Sequence, residues 1–292
     1  MKKQTAYKAL SEYSPLYPYV VIPFRKTTIG PLLRYLATVI KDFFFLQFSV
    51  KFKARNIEVI HVDNELDQKV PFVPEKVDIY LDFVNFWIRP LSFILQRFDR
   101  KRRLSYCAVY LDAIRTCYRE AARMYRFRMS TTYRPPAALF GKFRMIHILD
   151  PHLLCVPSLH VAVVVLTYTF FSEVFKREHM PEEQAARLSE ELYRGAIEIA
   201  ETVLYVKQHS VNCIAAALYM MINITHGHYT IEAAVAFIQD LFRDSPYIPA
   251  QDAALIRTHI LDLFEQLMLE GCNESDWVEP LKHWIVRYGM TH

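Results

Sequence analysis

Pro157-Ser158-Leu159-His160 opens the run Val161-Ala162-Val163-Val164-Val165-Leu166, and residues 151–172 hold no Asp, Glu, Lys or Arg. A second uncharged stretch, 208–231, ends in His226-Gly227-His228-Tyr229-Thr230-Ile231 and leads through Glu232 into Ala233-Ala234-Val235-Ala236-Phe237-Ile238. Each is long enough to cross a bilayer, for which about 20 apolar residues suffice. Between them Pro181-Glu182-Glu183 starts a charged amphipathic helix reaching about residue 200. Its Pro stands near the first turn and its acids sit where the helix dipole favours them. Six Gly in 292 residues and little apolar–polar alternation argue against a sheet, so the chain reads as all-α.

Outward from these runs, residues 1–30 read as an irregular leader, 31–244 as one helical domain and 245–292 as a C-terminal helical extension. Helices are expected over 31–50, 76–98 and 104–130, with a polar loop over 51–74. The helix over 104–130 carries Asp112, Arg115, Arg119, Glu120 and Arg123, so it cannot face lipid all round. Past the linker Ser245-Pro246-Tyr247-Ile248-Pro249, the stripe Leu255, Ile256, Ile260, Leu263, Phe264 and Leu267 has helical spacing and predicts packing within the chain, with Trp277 and Trp284 beside it.

A charged content of 23% is ordinary for a soluble protein, and a net charge of +4 is too slight to imply nucleic acid. Arg97 and Arg100-Lys101-Arg102-Arg103 read either as a juxtamembrane loop or as a solvated connection between helices. The five Cys are scattered, with no C-x-x-C, and read as free thiols rather than a disulfide framework or zinc site. Met1 to Pro31 is polar and interrupted, unlike a cleavable signal peptide.

The two histidine motifs carry the chemistry. His228 and Glu232 are four apart. If the chain is helical from Tyr229, they share a face, and the carboxylate fixes the imidazole tautomer and frees the other nitrogen to attack. The plain alternative is a His–Glu surface pair. Ser158 and the amides of a helix N-terminus make a natural anion site, with His160 placed to protonate a leaving oxygen. The alternative there is a Pro-Ser helix start beside a satisfied histidine.

These residues resemble a family. Ser158-Leu159-His160, followed by Leu166-Thr167-Tyr168-Thr169-Phe170-Phe171, resembles the Ser-Gly-His-Thr motif and next helix of the sphingomyelin-synthase-like branch of the type 2 phosphatidic acid phosphatase and haloperoxidase superfamily. His228-Tyr229-Thr230-Ile231-Glu232 is similar to its His-Tyr-Thr-(Ile/Val)-Asp motif, continued by Ala236-Phe237. Thr131-Thr132-Tyr133-Arg134-Pro135-Pro136 stands where the family carries a Thr/Pro-rich or Arg-Pro segment, and Leu66-Asp67 to Val70-Pro71-Phe72-Val73-Pro74 is similar to its first external loop. The likeness covers roughly 66 to 240, and only the His motifs are specific. Glu232 replaces an Asp, Phe127 a Lys and Ile222 an Arg, although the synthase-like branch also lacks that Arg.

The resemblance implies a membrane-integral helical bundle of about six core helices with extra amphipathic helices. It implies phosphoryl transfer through a phosphohistidine, with no metal or cofactor. His228 would be the nucleophile, Glu232 its orienter and His160 the general acid. Arg134 and Ser158, with Lys142 or Arg144, would hold the phosphate. The substrate would be a lipid phosphate or phospholipid headgroup, and the acceptor water or a lipid hydroxyl. A rival register matches Lys207-Gln208-His209 to the Lys-Gln-His of other branches, with Thr202 upstream. It puts Cys213 where the carboxylate belongs and runs a membrane helix through Glu198 and Glu201, which is costly in lipid, so His228 is preferred. Two other classes stay open: a non-catalytic membrane or interaction protein retaining the fold, and a soluble helical enzyme of acid-phosphatase or haloperoxidase type. The preferred register expects His160 and His228 to share one polar pocket, with His209 deeper or further away.

Overall fold

The computed structural model describes residues 8–136 and 141–291. The helices are α1 (Leu16–Val21), α2 (Lys26–Val39), α3 (Leu46–Lys51), α4 (Val77–Arg97), α5 (Arg100–Phe127) and α6 (Gly141–Leu149). They continue as α7 (Leu159–Arg177), α8 (Glu182–Tyr205), α9 (Val211–Ile224), α10 (Ile231–Asp240), α11 (Ala250–Gly271) and α12 (Val278–Thr291). Two short parallel strands, β1 (Val59–His61) and β2 (Met129–Thr131), pair Val59 with Met129 and His61 with Thr131. The all-α expectation holds; β1 lies inside what was read as a polar loop, and β2 at the end of the helix expected over 104–130, which stops at Phe127.

The core is built around α7, against which α8, α9, α5 and α4 pack. Val161 to Val165 are fully buried, and the Phe171 and Phe175 rings are enclosed. α2 lies along α5, while α11 packs on α9. The predicted α11 stripe is buried at Ile256, Ile260, Leu263, Phe264 and Leu267, but Leu255 faces solvent.

Several boundaries move. The irregular leader is a correction: residues 10–24 contain a 3-10 turn, α1 and a second 3-10 turn, and α2 begins at Lys26. Pro15 and Pro18 sit before and within the first turn of α1, where a missing N–H costs little. Residues 1–7 of that leader lie outside the described residues. The basic cluster is no loop: Asp99 caps α5 by accepting from the Lys101 and Arg102 amides, so the cluster forms its first turn. Residues 152–158 are not helical. There Leu154 bridges to Ser130, and α7 starts only after Ser158, whose hydroxyl accepts from the Val161 amide.

α7 is the one helix among the described residues with the length and composition of a membrane span, and 61% of its apolar window is buried inside the protein. The second uncharged run yields α9, of 14 residues. At 1.5 Å per residue that is about 21 Å, short of the roughly 30 Å hydrocarbon thickness.

Candidate active site

His209 lies in the turn between α8 and α9. Lys207 ends α8 with φ of 55°, a left-handed cap in which the Val203 carbonyl accepts from the amides of Gln208 and His209. The Lys207 ammonium donates to the carbonyls of Asp67 (2.6 Å) and Val70, fixing the turn to the preceding loop. Ser210 then caps α9 by accepting from the Asn212 amide. The turn aims the His209 ring at the N-terminus of α7, where Ser158 is the cap and His160 stands in the first turn.

His209 Nε2 lies 3.3 Å from Ser158 Oγ and 3.3 Å from His160 Nδ1. His160 and His209 line a cavity of about 160 Å³ together with Asp150, His152, Cys155 and the rings of Phe43, Tyr80, Phe83 and Tyr118, while Ser158 is fully buried beside them. Tyr80 and Phe83 flank His160, with ring centroids at 4.8 and 4.6 Å. Burial pushes the His160 ring down to about 4. Burial also holds His209 well below the usual imidazole range, aided by repulsion from His160 and opposed by the Cys155 carbonyl. Both rings are therefore neutral at pH 7. His209 Nδ1 is buried with no hydrogen-bond partner among the described residues, and Nε2 is the ring nitrogen that faces Ser158 and His160.

The other wall comes from His152 and Asp150, with Thr132 behind His152. His152 Nε2 is 2.8 Å from Thr132 Oγ1, and the His152 amide donates to Asp150 Oδ1 at 2.9 Å. Burial raises the Asp150 carboxyl, against the pull of that amide and of Arg134. Arg134 is half-buried behind this wall, and its Nη1 donates to the Asp150 carbonyl at 3.1 Å. It does not line the cavity. Lys142 pairs with Asp78, and Arg144 is exposed.

The pairing of His228 with Glu232 is not what the structure shows. Thr230 caps α10 by accepting from the Ala233 amide, so helix begins at Ile231 and His228 lies outside it. His226 and Gly227 take φ of 51° and 88°, reversing the chain just before. His228 Nδ1 contacts Glu173 Oε1 at 2.8 Å, with 61% of its side chain exposed. Glu232 is exposed at the start of α10, where its charge suits the helix dipole. Glu173 stands 13 residues after His160 on α7, which separates the two by about 20 Å. His228 lines a different cavity, of about 470 Å³, which shares no lining residue with the first. Convergence of His160 with His228 is therefore corrected to convergence of His160 with His209, and Ser158 joins them.

The objection to His209 also falls away. Glu198 pairs with Lys76 at the surface, and Glu201 accepts the Phe242 amide at 2.6 Å, so each carboxylate has a partner that offsets the cost the objection assumed. The sequence held a signal for both outcomes: Thr230 before an apolar run is a helix cap, which places His228 before the helix. Thr132, Asp150, His152 and Cys155 were missed as members of the site because strand and loop pairing, not spacing, brings them in.

Comparison of the chain with protein-family models, with curated proteins and with solved structures gives no match in any of the three.

Proposed function

We propose that the protein transfers or hydrolyses a phosphate ester at the His160–His209 cavity, with His209 as nucleophile. The observation that carries this reading is the convergence of His209 and His160, 49 positions apart, on one cavity at the N-terminus of a buried helix, with the cap hydroxyl of Ser158 3.3 Å from His209 Nε2. The resemblance to the phosphatidic acid phosphatase superfamily supports it, in the register that uses Lys207-Gln208-His209.

The chemistry follows from the geometry. Attack of His209 Nε2 on phosphorus forms a P–N bond as the ester P–O bond breaks. His160 delivers a proton to the leaving oxygen. A monoester monoanion brings that proton in, and an anion beside the ring raises its pKa. Water or a hydroxyl then attacks the phosphohistidine and returns its proton to His160. The first-turn amides of α7 and the Ser158 hydroxyl meet phosphoryl charge in place of lysine or arginine. The small cavity, against the roughly 300–1,000 Å³ of drug-sized sites, suits a headgroup rather than a whole lipid, and its Phe and Tyr walls suit a lipid phosphate. We read α7 as a core helix, since four helices pack around it, and place any membrane contact outside it.

A second reading, a binding protein without turnover, draws on the presence of Asp150 and the absence of Lys and Arg from the lining. A panel of lipid phosphates and a chromogenic monoester decides between them. Turnover lost in His209→Ala and cut about 10²- to 10⁴-fold in His160→Ala supports catalysis. Wild type inert on every ester, yet binding orthovanadate, supports the second reading.

A further inference from the structure

We infer that the N-terminal helical arm, residues 16–55, docks the protein on the surface of an anionic lipid bilayer, lying in its interface. This goes beyond the chemistry proposed above and does not depend on it.

α2, a π-helical turn (Ile40–Phe45) and α3 run as one helix from Lys26 to Lys51. Its inner face is satisfied. Tyr35 meets Trp87 and Tyr118 edge-on, Asp42 pairs with Arg126, and Arg34 pairs with Asp112 at 2.8 Å. Its outer face is apolar. Leu33, Leu36, Ile40 and Phe44, spaced by three, four and four residues, are exposed at 58, 42, 63 and 44%. Phe45 and, before the helix, Phe24 are exposed beside them. Among the described residues nothing covers this stripe, and a contiguous exposed apolar stripe rimmed by charge marks a binding face.

The charge names the occupant. Residues 16–55 carry seven Lys and Arg against one carboxylate, Asp42, which is buried in its pair with Arg126. The whole chain is only +4, so the remainder is net acidic and the basic excess is concentrated here. Arg25, Lys26, Lys41, Lys51, Lys53 and Arg55 are exposed around the stripe. An apolar helix face with large aromatic residues and a basic rim is what sinks into the headgroup region of an anionic membrane. A second copy fits poorly, because a two-fold contact would set this cationic rim against itself. The arm also adjoins the histidine cavity: Phe43 of the π turn lines it, while its neighbours Phe44 and Phe45 point out.

The test is co-sedimentation of the full-length protein with vesicles of phosphatidylcholine alone and with phosphatidylserine added. Wild type is expected to pellet with the anionic vesicles, to be released by salt and to stay free of the neutral ones. Each basic residue near an anionic surface contributes about fivefold, so Lys51→Gln/Lys53→Gln/Arg55→Gln together should weaken binding by about two orders of magnitude. Leu36→Asp/Ile40→Asp/Phe44→Asp should abolish it with helicity unchanged by circular dichroism. Failure of wild type to bind anionic vesicles overturns the inference, and so does binding unaffected by salt and by both sets of variants. A lipid-free dimer that the apolar substitutions dissociate would assign the face to a second copy instead. Wild type that binds anionic vesicles but turns over no phosphate ester would count against the catalytic reading alone.

Discussion

The buried, neutral His160 makes the protein acid-sensitive in a way that one substitution should reveal. Its ring titrates at 6.5 in the unfolded chain and at about 4 in the folded one. Between those values the unfolded chain binds a proton that the folded chain refuses. The contribution is therefore complete above about pH 6.5 and is lost as pH falls towards 4. Linkage gives a loss of about 2 kcal/mol at pH 5 and about 3 kcal/mol at pH 4 from this group alone. His209 and His152, both pushed down chiefly by burial, act in the same direction. His160→Gln removes the titrating ring. Urea unfolding followed by tryptophan fluorescence, at about pH 7.5 and about pH 5, gives the stability change for each protein. Wild type should lose about 2 kcal/mol more than the variant between the two pH values. An equal loss would mean that His160 is solvated or charged in the folded state, and the neutral histidine pair would be wrong.

Glu201→Gln should act in the opposite pH range. Burial pushes the Glu201 carboxyl up to about 7, so its destabilising ionisation grows as pH rises through the window 4.5 to 7. Gln keeps an acceptor for the Phe242 amide, and the variant should gain about 2 to 3 kcal/mol near pH 8 and little near pH 4.5 in the same unfolding assay. Lys207→Met strips two carbonyls of their donor and should lower stability by about 2 kcal/mol, with a matching fall in Tm by calorimetry. His228→Ala removes only an exposed contact with Glu173, so stability should stay within about 0.5 kcal/mol and turnover should be unchanged. A large loss of either would restore His228 to a functional role.

The helical class and an apolar helix carrying Val161 to Phe171 were legible because periodicity is a local property of the chain, whereas its place in the core was not, since a buried helix and a bilayer span have the same composition. His160 was legible from its place at the head of that apolar run. The partner of His160 was not, because a carboxylate four residues on was allowed to decide between two histidines. That criterion presumes a helix through both residues, and the Thr230 cap starts the helix only at Ile231, three residues after His228. His209 needed a left-handed cap at Lys207, a non-glycine residue whose conformation no pattern announces. The Thr132–His152 wall depends on the pairing of Ser130 with Leu154 across 24 positions, which hydrophobic periodicity does not encode.

The account rests most on which histidine takes the phosphoryl group. A substrate radiolabelled on phosphorus, quenched early in turnover and digested under alkaline conditions that preserve phosphohistidine, identifies the labelled peptide. The account predicts label on the peptide containing His209, absent in His209→Ala and unchanged in His228→Ala. Label on the peptide containing His228 would contradict it.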